Sequence, residues 1–291
     1  MFDKILLADN LRHDVTHLAK CLPGKRLGAK EIILCHSFDP PKDMPVDKMF
    51  YSKLEATLEE RRKTLASLLD LPCKVELVRG EPARAILELA EEHDVSMIVM
   101  GSHHSGGLRG SLIGSVSYSL LHETIRPVFL LRMSRTGRVQ GDVDNVCGRH
   151  IFFPTDFSET AEDAFLLLER IATSYNAKVT MFHVHDKARI DPYLRHMLPE
   201  FDREDKARLQ RLKEHLEANG AGTSSFQVSY GVPAQRILRL ANSGEFSLMV
   251  IGCQGRGFIP EIFLGSTANA VARHGEIPVI FVPRRRGGMS W

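Results

Sequence analysis

Five short apolar runs, at residues 4–8, 31–36, 74–78, 95–100 and 127–131, punctuate the first 133 residues. Continuous apolar runs of this length predict strands buried on both faces. Between them apolar residues recur every three or four positions, the period of a helix with one buried face. Leu54, Leu58, Leu65, Leu68 and Leu69 form the longest such stripe, behind a polar, Pro-rich loop at 39–47. A helical stretch leads to Leu18, a helix over 82–93 carries Pro in its first turn, and another over 115–123 follows a Gly-rich loop. The same order returns from Ile151 to Val282. Strands alternating with helices predict a parallel sheet covered on both faces, and right-handed crossovers make it doubly wound.

The return is residue by residue. Gly80, Gly101, Gly114 and Pro127 reappear as Gly231, Gly252, Gly265 and Pro278, each 151 positions on, and Pro82-Ala83 reappears as Pro233-Ala234. Upstream the displacement is 147, from Asp9 to Asp156 and from His36 to His183, so one loop between differs by four residues. So constant a spacing marks a duplication. The predicted fold class is α/β: two tandem, Rossmann-like, doubly wound five-stranded parallel sheets. Residues 134–148 hold three Gly among polar residues with little periodicity, which predicts a linker. The domains are then 1–133 and 150–291, joined by 134–149, and a length of 291 suits two units of this size.

In open sheets of this kind, ligands lie beyond the carboxyl ends of the strands, where the strand order reverses. Two segments of the second copy meet there. One is Pro154-Thr155-Asp156-Phe157-Ser158, after the first strand; the other is Gly252-Cys253-Gln254-Gly255, with Leu264-Gly265-Ser266-Thr267 opening a helix. Glycines permit left-handed backbone and let amides approach an anion without a Cβ in the way. Gly265-Ser266-Thr267 adds free amides and two hydroxyls at a helix N-terminus, where the dipole favours negative charge. Taken singly, Gly255 or Ser266 reads as a turn glycine or an N-cap; together they favour phosphate.

The spacing G-x2-G-x9-G-[S/T], filled by Gly252, Gly255, Gly265 and Ser266, resembles the nucleotide-binding signature of the ATP-binding universal stress proteins. Pro154-Thr155-Asp156-Phe157-Ser158-Glu159-Thr160-Ala161 is similar to that family's first strand and turn, and His183-Val184 to the end of its second strand. The likeness covers both halves, as in the tandem members. It implies an adenine-nucleotide site, for ATP or AMP/ADP with Mg²⁺ on the phosphates. Pro154, Thr155 and Asp156 with Val184 would line it, Asp156 and Val184 touching the adenosine. Gly252, Gly255, Gly265, Ser266 and Thr267 would hold ribose and phosphates. It also implies a role in stress response, slow or no turnover, and pairing of the halves through their fifth strands as an intramolecular pseudo-dimer. Open alternatives are a slow ATPase or autophosphorylating enzyme, a nucleotide-free scaffold for an unknown protein partner, and a further homodimer.

The first copy departs from the pattern. Gly101 and Gly114-Ser115 are in place, but His104 stands where Gly255 does, and Leu7-Ala8-Asp9-Asn10-Leu11 replaces the Pro-Thr-Asp run. A Cβ in a left-handed conformation would cost roughly 1–2 kcal/mol there, so the second copy is expected to carry most of the nucleotide. Other chemistries are poorly supported. Gly101 and Gly106 have P-loop spacing, yet Gly107 stands where Lys is needed. Gly255-Arg256-Gly257 follows the fourth strand rather than the first, against a dinucleotide fingerprint. His183 and His185 share a strand face, but no Cys or carboxylate has the spacing to complete a metal site, so no metal residue is assigned. No Ser-His-Asp or Cys-His arrangement is legible, and no catalytic residue is assigned. The charge run Asp202-Arg203-Glu204-Asp205-Lys206 reads as a solvated helix face.

Composition narrows the setting. Formal net charge is +2, which argues against a nucleic-acid or membrane partner. Arg284-Arg285-Arg286 reads as a solvated end. Five cysteines without a C-x-x-C pair suit a reducing compartment. Met1-Phe2-Asp3-Lys4 runs into a strand without an apolar leader, and no apolar stretch approaches 18 residues, so a cytoplasmic location is expected.

Overall fold

Alternate residues of each apolar run point to opposite faces of a sheet, so a run with no polar break must be covered on both sides. The structure, a computed structural model, describes residues 2–12, 19–21, 24–40, 48–103, 113–134, 146, 148–255 and 264–285. The first copy supplies β1 (Lys4–Ala8), β2 (Glu31–Phe38), β3 (Cys73–Arg79), β4 (Met97–His103) and β5 (Val128–Met133). The second supplies β6 (His150–Pro154), β7 (Lys178–Asp186), β8 (Ser224–Gly231), β9 (Leu248–Gly252) and β10 (Val279–Val282). Helices α1 (Lys48–Leu69), α2 (Pro82–Glu92) and α3 (Ser115–Glu123) belong to the first copy. Those of the second are α4 (Glu159–Tyr175), α5 (Lys187–Ile190), α6 (Leu198–Ala218), α7 (Pro233–Ala241) and α8 (Ser266–His274).

All ten strands join in the order β3-β2-β1-β4-β5-β10-β9-β6-β7-β8. Each half is parallel and doubly wound, and strand order reverses between β1 and β4 and again between β6 and β9. The halves meet edge to edge through β5 and β10, which pair antiparallel with Ile280 opposite Phe129. Every residue of both strands is buried. Pairing therefore removes two apolar edges that would otherwise invite association. This is the pseudo-two-fold arrangement that the family likeness implies.

The alternation is visible in the core. Leu7, Val99, Phe129, Phe153, Val179 and Ile280 belong to one apolar layer, under α1, α4 and α6. Leu6, Ile98, Leu130, Phe152, Val184 and Phe281 belong to the other, under α2, α3, α7 and α8. Both layers run across the two copies, which share their core on each side of the sheet.

Some readings need correction. Leu68 is 51% exposed, so the buried stripe of α1 rests on Leu58 and Leu65. Residues 9–12 of the anticipated first helix are not helical. The stretch 13–18, most of the 39–47 loop and most of the linker fall outside the described residues. The solvated end is also wrong in part: Arg284 pairs with Glu159, and the Arg285 amide donates to Asp163 Oδ2 at 2.9 Å, tying both to α4. Among the described residues no helix is long and apolar enough to cross a membrane.

Candidate functional site

Beyond the carboxyl ends of β6 and β9 lies a cavity of about 650 Å³. It is lined by all nine residues singled out in the sequence: Pro154, Thr155, Asp156, Val184, Gly252, Gly255, Gly265, Ser266 and Thr267. Three segments carry them, and α6 packs beside as a fourth.

The turn after β6 is built by its own side chains. Thr155 Oγ1 accepts from the Phe157 amide at 3.1 Å, and Asp156 Oδ1 accepts from the Ser158 amide at 3.1 Å. Ser158 Oγ then caps α4 by accepting from Ala161 N at 3.3 Å, an interaction worth about 1 kcal/mol. Phe157 takes a left-handed φ of 58° to make this bend. Short polar side chains thus satisfy amides that a strand-to-helix turn would leave open.

The glycine segment works by space rather than by φ. Gly252, Gly255 and Gly265 are not among the positive-φ glycines, which corrects the left-handed expectation at the Gly255 position. A Cβ on Gly255 would stand 2.6 Å from Asp156 Oδ2, and one on Gly252 would stand 3.1 Å from the Thr160 carbonyl oxygen. On Gly265 it would meet the Cys253 carbonyl oxygen at 3.3 Å. Gly265 donates its amide to that same oxygen at 2.7 Å, which folds the loop's return against the end of β9. Among the described residues no side chain caps the start of α8, where the amides of cavity-lining Ser266, Thr267 and Ala268 are the ones a helix leaves open. His104, Gly106 and Gly107 of the first copy lie outside the described residues.

The third and fourth segments are β7 and α6. His183 Nδ1 bonds the Thr155 carbonyl oxygen at 2.8 Å and so pins β7 to the turn. Asp205 comes from α6 and is buried, which overturns the solvated reading for this one residue of the charge run, whose Arg203, Glu204 and Lys206 are exposed. Its Oδ2 lies 3.3 Å from His183 Nε2 and 3.6 Å from His185 Nδ1. Arg208 places Nη1 3.7 Å from Asp205 Oδ1 and its guanidinium over the Phe157 ring at 5.4 Å. Sequence spacing missed Asp205 because about twenty residues separate it from the histidines. The available signal was its place four residues before Leu209, on the buried stripe of α6. Cys253 also lines the cavity; burial pushes its thiol up to about 12, so it is inert there.

In the first copy the aspartate at the place of Asp156 is already engaged. Asp9 is buried and ion-paired with Arg61 from α1, and Arg61 Nη2 also donates to the Leu11 carbonyl oxygen at 3.0 Å. Aligning the buried stripes, Leu58 and Leu65 with Leu209 and Leu216, matches Arg61 to Leu212. The second copy therefore has no cation at the position that engages Asp9 in the first.

Comparison with known proteins agrees with this architecture. The model of the universal stress protein family matches residues 1–132 and again 148–283. The chain belongs to the universal stress protein family. A universal stress protein of Methanocaldococcus jannaschii is 28% identical over 160 residues, spanning 48% of this chain and 98% of the relative. One from Mycobacterium bovis is 27% identical over 211 residues, 70% of this chain and 63% of that one. Among solved structures, a universal stress protein from Archaeoglobus fulgidus superposes with a TM-score of 0.76 at 22% identity. That match covers 98% of this chain and 100% of the other, and shows a shared fold over both halves.

Proposed function

We propose that this universal stress protein binds an adenine nucleotide, ATP or AMP/ADP, in the second domain, and acts in stress response or regulation rather than as a fast enzyme. The observation that carries this reading is the approach of Gly255 to Asp156, which sets a Cβ-free loop against the turn after β6. Around it the cavity has two ends of different chemistry. Val184 and Ile251 offer apolar surface suited to a base, beside the Asp156 carboxylate as an acceptor for ribose or adenine donors. Ser266, Thr267 and the uncapped start of α8 offer hydroxyls and amides suited to phosphates. The Ser266 and Thr267 hydroxyls, with phosphate oxygens, are the hard donors that Mg²⁺ takes. When bound, Mg²⁺ neutralises phosphate charge; the chain's own groups orient the nucleotide.

In this reading domains 1–133 and 150–291 share one sheet but divide the work. The Asp9–Arg61 pair supports a first domain that serves as a folding and dimerisation partner. A cytoplasmic location goes with this function. The test is to denature the purified full chain and identify what it releases by mass spectrometry. An adenine nucleotide is expected. Release of none, with no adenine nucleotide binding in calorimetry, would leave the scaffold reading standing; rapid turnover of Mg·ATP would favour the ATPase.

A further inference from the structure

We propose that His183, His185 and Asp205 form a binding site for a divalent transition metal of the zinc class, separate from any Mg²⁺ carried by phosphates. One ligand atom from each of the three buried residues lies within 4.8 Å of the others. Bonds of about 2.0–2.2 Å to a tetrahedral ion set neighbouring ligands roughly 3.3–3.6 Å apart. The two distances to Asp205 Oδ2, 3.3 Å from His183 Nε2 and 3.6 Å from His185 Nδ1, fit that spacing.

Protonation makes the same point. His183 Nδ1 faces a carbonyl oxygen at 2.8 Å, so it carries the proton, and in the neutral ring Nε2 presents a lone pair. That lone pair meets a carboxylate oxygen, and the Nδ1 of a second imidazole meets the same oxygen. Two imidazole nitrogens and a carboxylate oxygen thus converge in a buried place, a donor set that a bound cation would satisfy. His185 is 6% exposed, and its Nε2 is buried without a hydrogen-bond partner among the described residues, 3.9 Å from Asp202 Oδ1. Thr155 and Arg208 hold His183 and Asp205 from behind, as outer partners of a metal site do. Two imidazoles and a carboxylate suit zinc-like ions better than Mg²⁺, which prefers oxygen. Three protein ligands leave a fourth position for water or a cavity ligand.

The duplication supplies an internal control. The strand displacement of 147 sets Phe38 at the place of His185, while the α6 alignment sets Tyr51 and Leu54 at those of Asp202 and Asp205. Phe38 packs on Tyr51 with ring centroids 5.4 Å apart, as His185 neighbours Asp202. His36 is retained and bonds the Asp9 carbonyl oxygen at 2.8 Å, parallel to His183 and Thr155. Of the three ligand positions, one is thus kept as histidine in the first copy, while the other two are Phe38 and Leu54 there and His185 and Asp205 in the second. Packing alone does not call for the second set.

The experiment uses the full chain, stripped with a chelator and titrated with Co²⁺ or Zn²⁺ without nucleotide, so its result is independent of the nucleotide reading. About one ion per chain is expected, with the visible absorption of four-coordinate Co²⁺. The double variant His185→Phe, Asp205→Leu, which installs the first copy's residues, should keep the fold by circular dichroism and lose the ion. Arg208→Gln should weaken binding by about 10- to 100-fold. If the double variant fails to fold, the Co²⁺ spectrum of the native chain decides. No uptake by the native chain, or equal uptake by a folded double variant, would overturn the site and leave a protonated His183 paired with Asp205.

Discussion

Arg132 Nη2 donates to the Val271 carbonyl oxygen at 2.9 Å, and so ties β5 of the first copy to the last turns of α8 in the second. The Ala272 carbonyl accepts from the same nitrogen at 2.9 Å. The side chain is fully buried, and burial pushes the guanidinium down to about 10. A cation at a helix C-terminus is favoured by the dipole and satisfies carbonyls that the helix leaves open. Desolvation opposes that gain. Hydrogen bonds to a charged donor are worth about 1.5–3 kcal/mol, and truncation would also leave a cavity.

Arg132→Ala should therefore destabilise the full chain by about 3 kcal/mol in urea unfolding. Arg132→Met fills most of the space and should cost less. A loss for Arg132→Ala within ~0.5 kcal/mol would mean the two halves are held by strand pairing and apolar burial alone.

At the candidate site, Gly255→Val places its Cβ against the Asp156 carboxylate. The carboxylate is the far end of a side chain rather than backbone and can shift, so the fold should survive while the cavity entrance is altered. Nucleotide affinity should fall by about tenfold or more, roughly 1.4 kcal/mol, measured by calorimetry on folded protein. Unchanged affinity would remove the loop from the proposed site.

Duplication, strand order around the site and the nine cavity-lining residues were legible because they rest on local signals: glycine spacing, continuous apolar runs and a turn made by its own side chains. Two things were not. Leu68 follows the helical repeat but sits at the margin of the stripe, where a one-residue rotation exposes it. Asp205 is brought to His183 by the way α6 packs on β7, a relationship set by helix phase and not by chain spacing. The corrected Gly255 argument has the same origin, since what excludes a side chain there is a residue about a hundred positions away.

Stoichiometry follows from the difference between the copies. With Asp9 already engaged by Arg61, the first half should bind nucleotide weakly, and calorimetry on the full chain with Mg·ATP should give about one strong site. A ligand at a hundredfold excess over Kd stabilises the native state by about 2.7 kcal/mol. That gain should appear as a higher melting temperature that disappears in Gly255→Val. Two equal strong sites would show that the Asp9–Arg61 pair does not close the first half.

Acid sensitivity should come in part from His150. Its Nε2 bonds Thr180 Oγ1 at 2.8 Å, and its ring lies 4.6 Å from that of Phe246. Burial, and then nearby Lys178, lower its pKa below the ordinary value of 6.5. The unfolded chain therefore takes up this proton more readily than the folded one. Stability from the neutral ring is fully present above pH 6.5 and is lost as pH falls through the lowered folded value. His150→Gln cannot titrate, so it should be less stable than the native chain near neutrality but lose less on acidification. Melting temperatures of the two proteins from about pH 7.5 down to about pH 5 should converge or cross. A gap that stays constant across that range would show that His150 takes up its proton equally in the folded and unfolded chain.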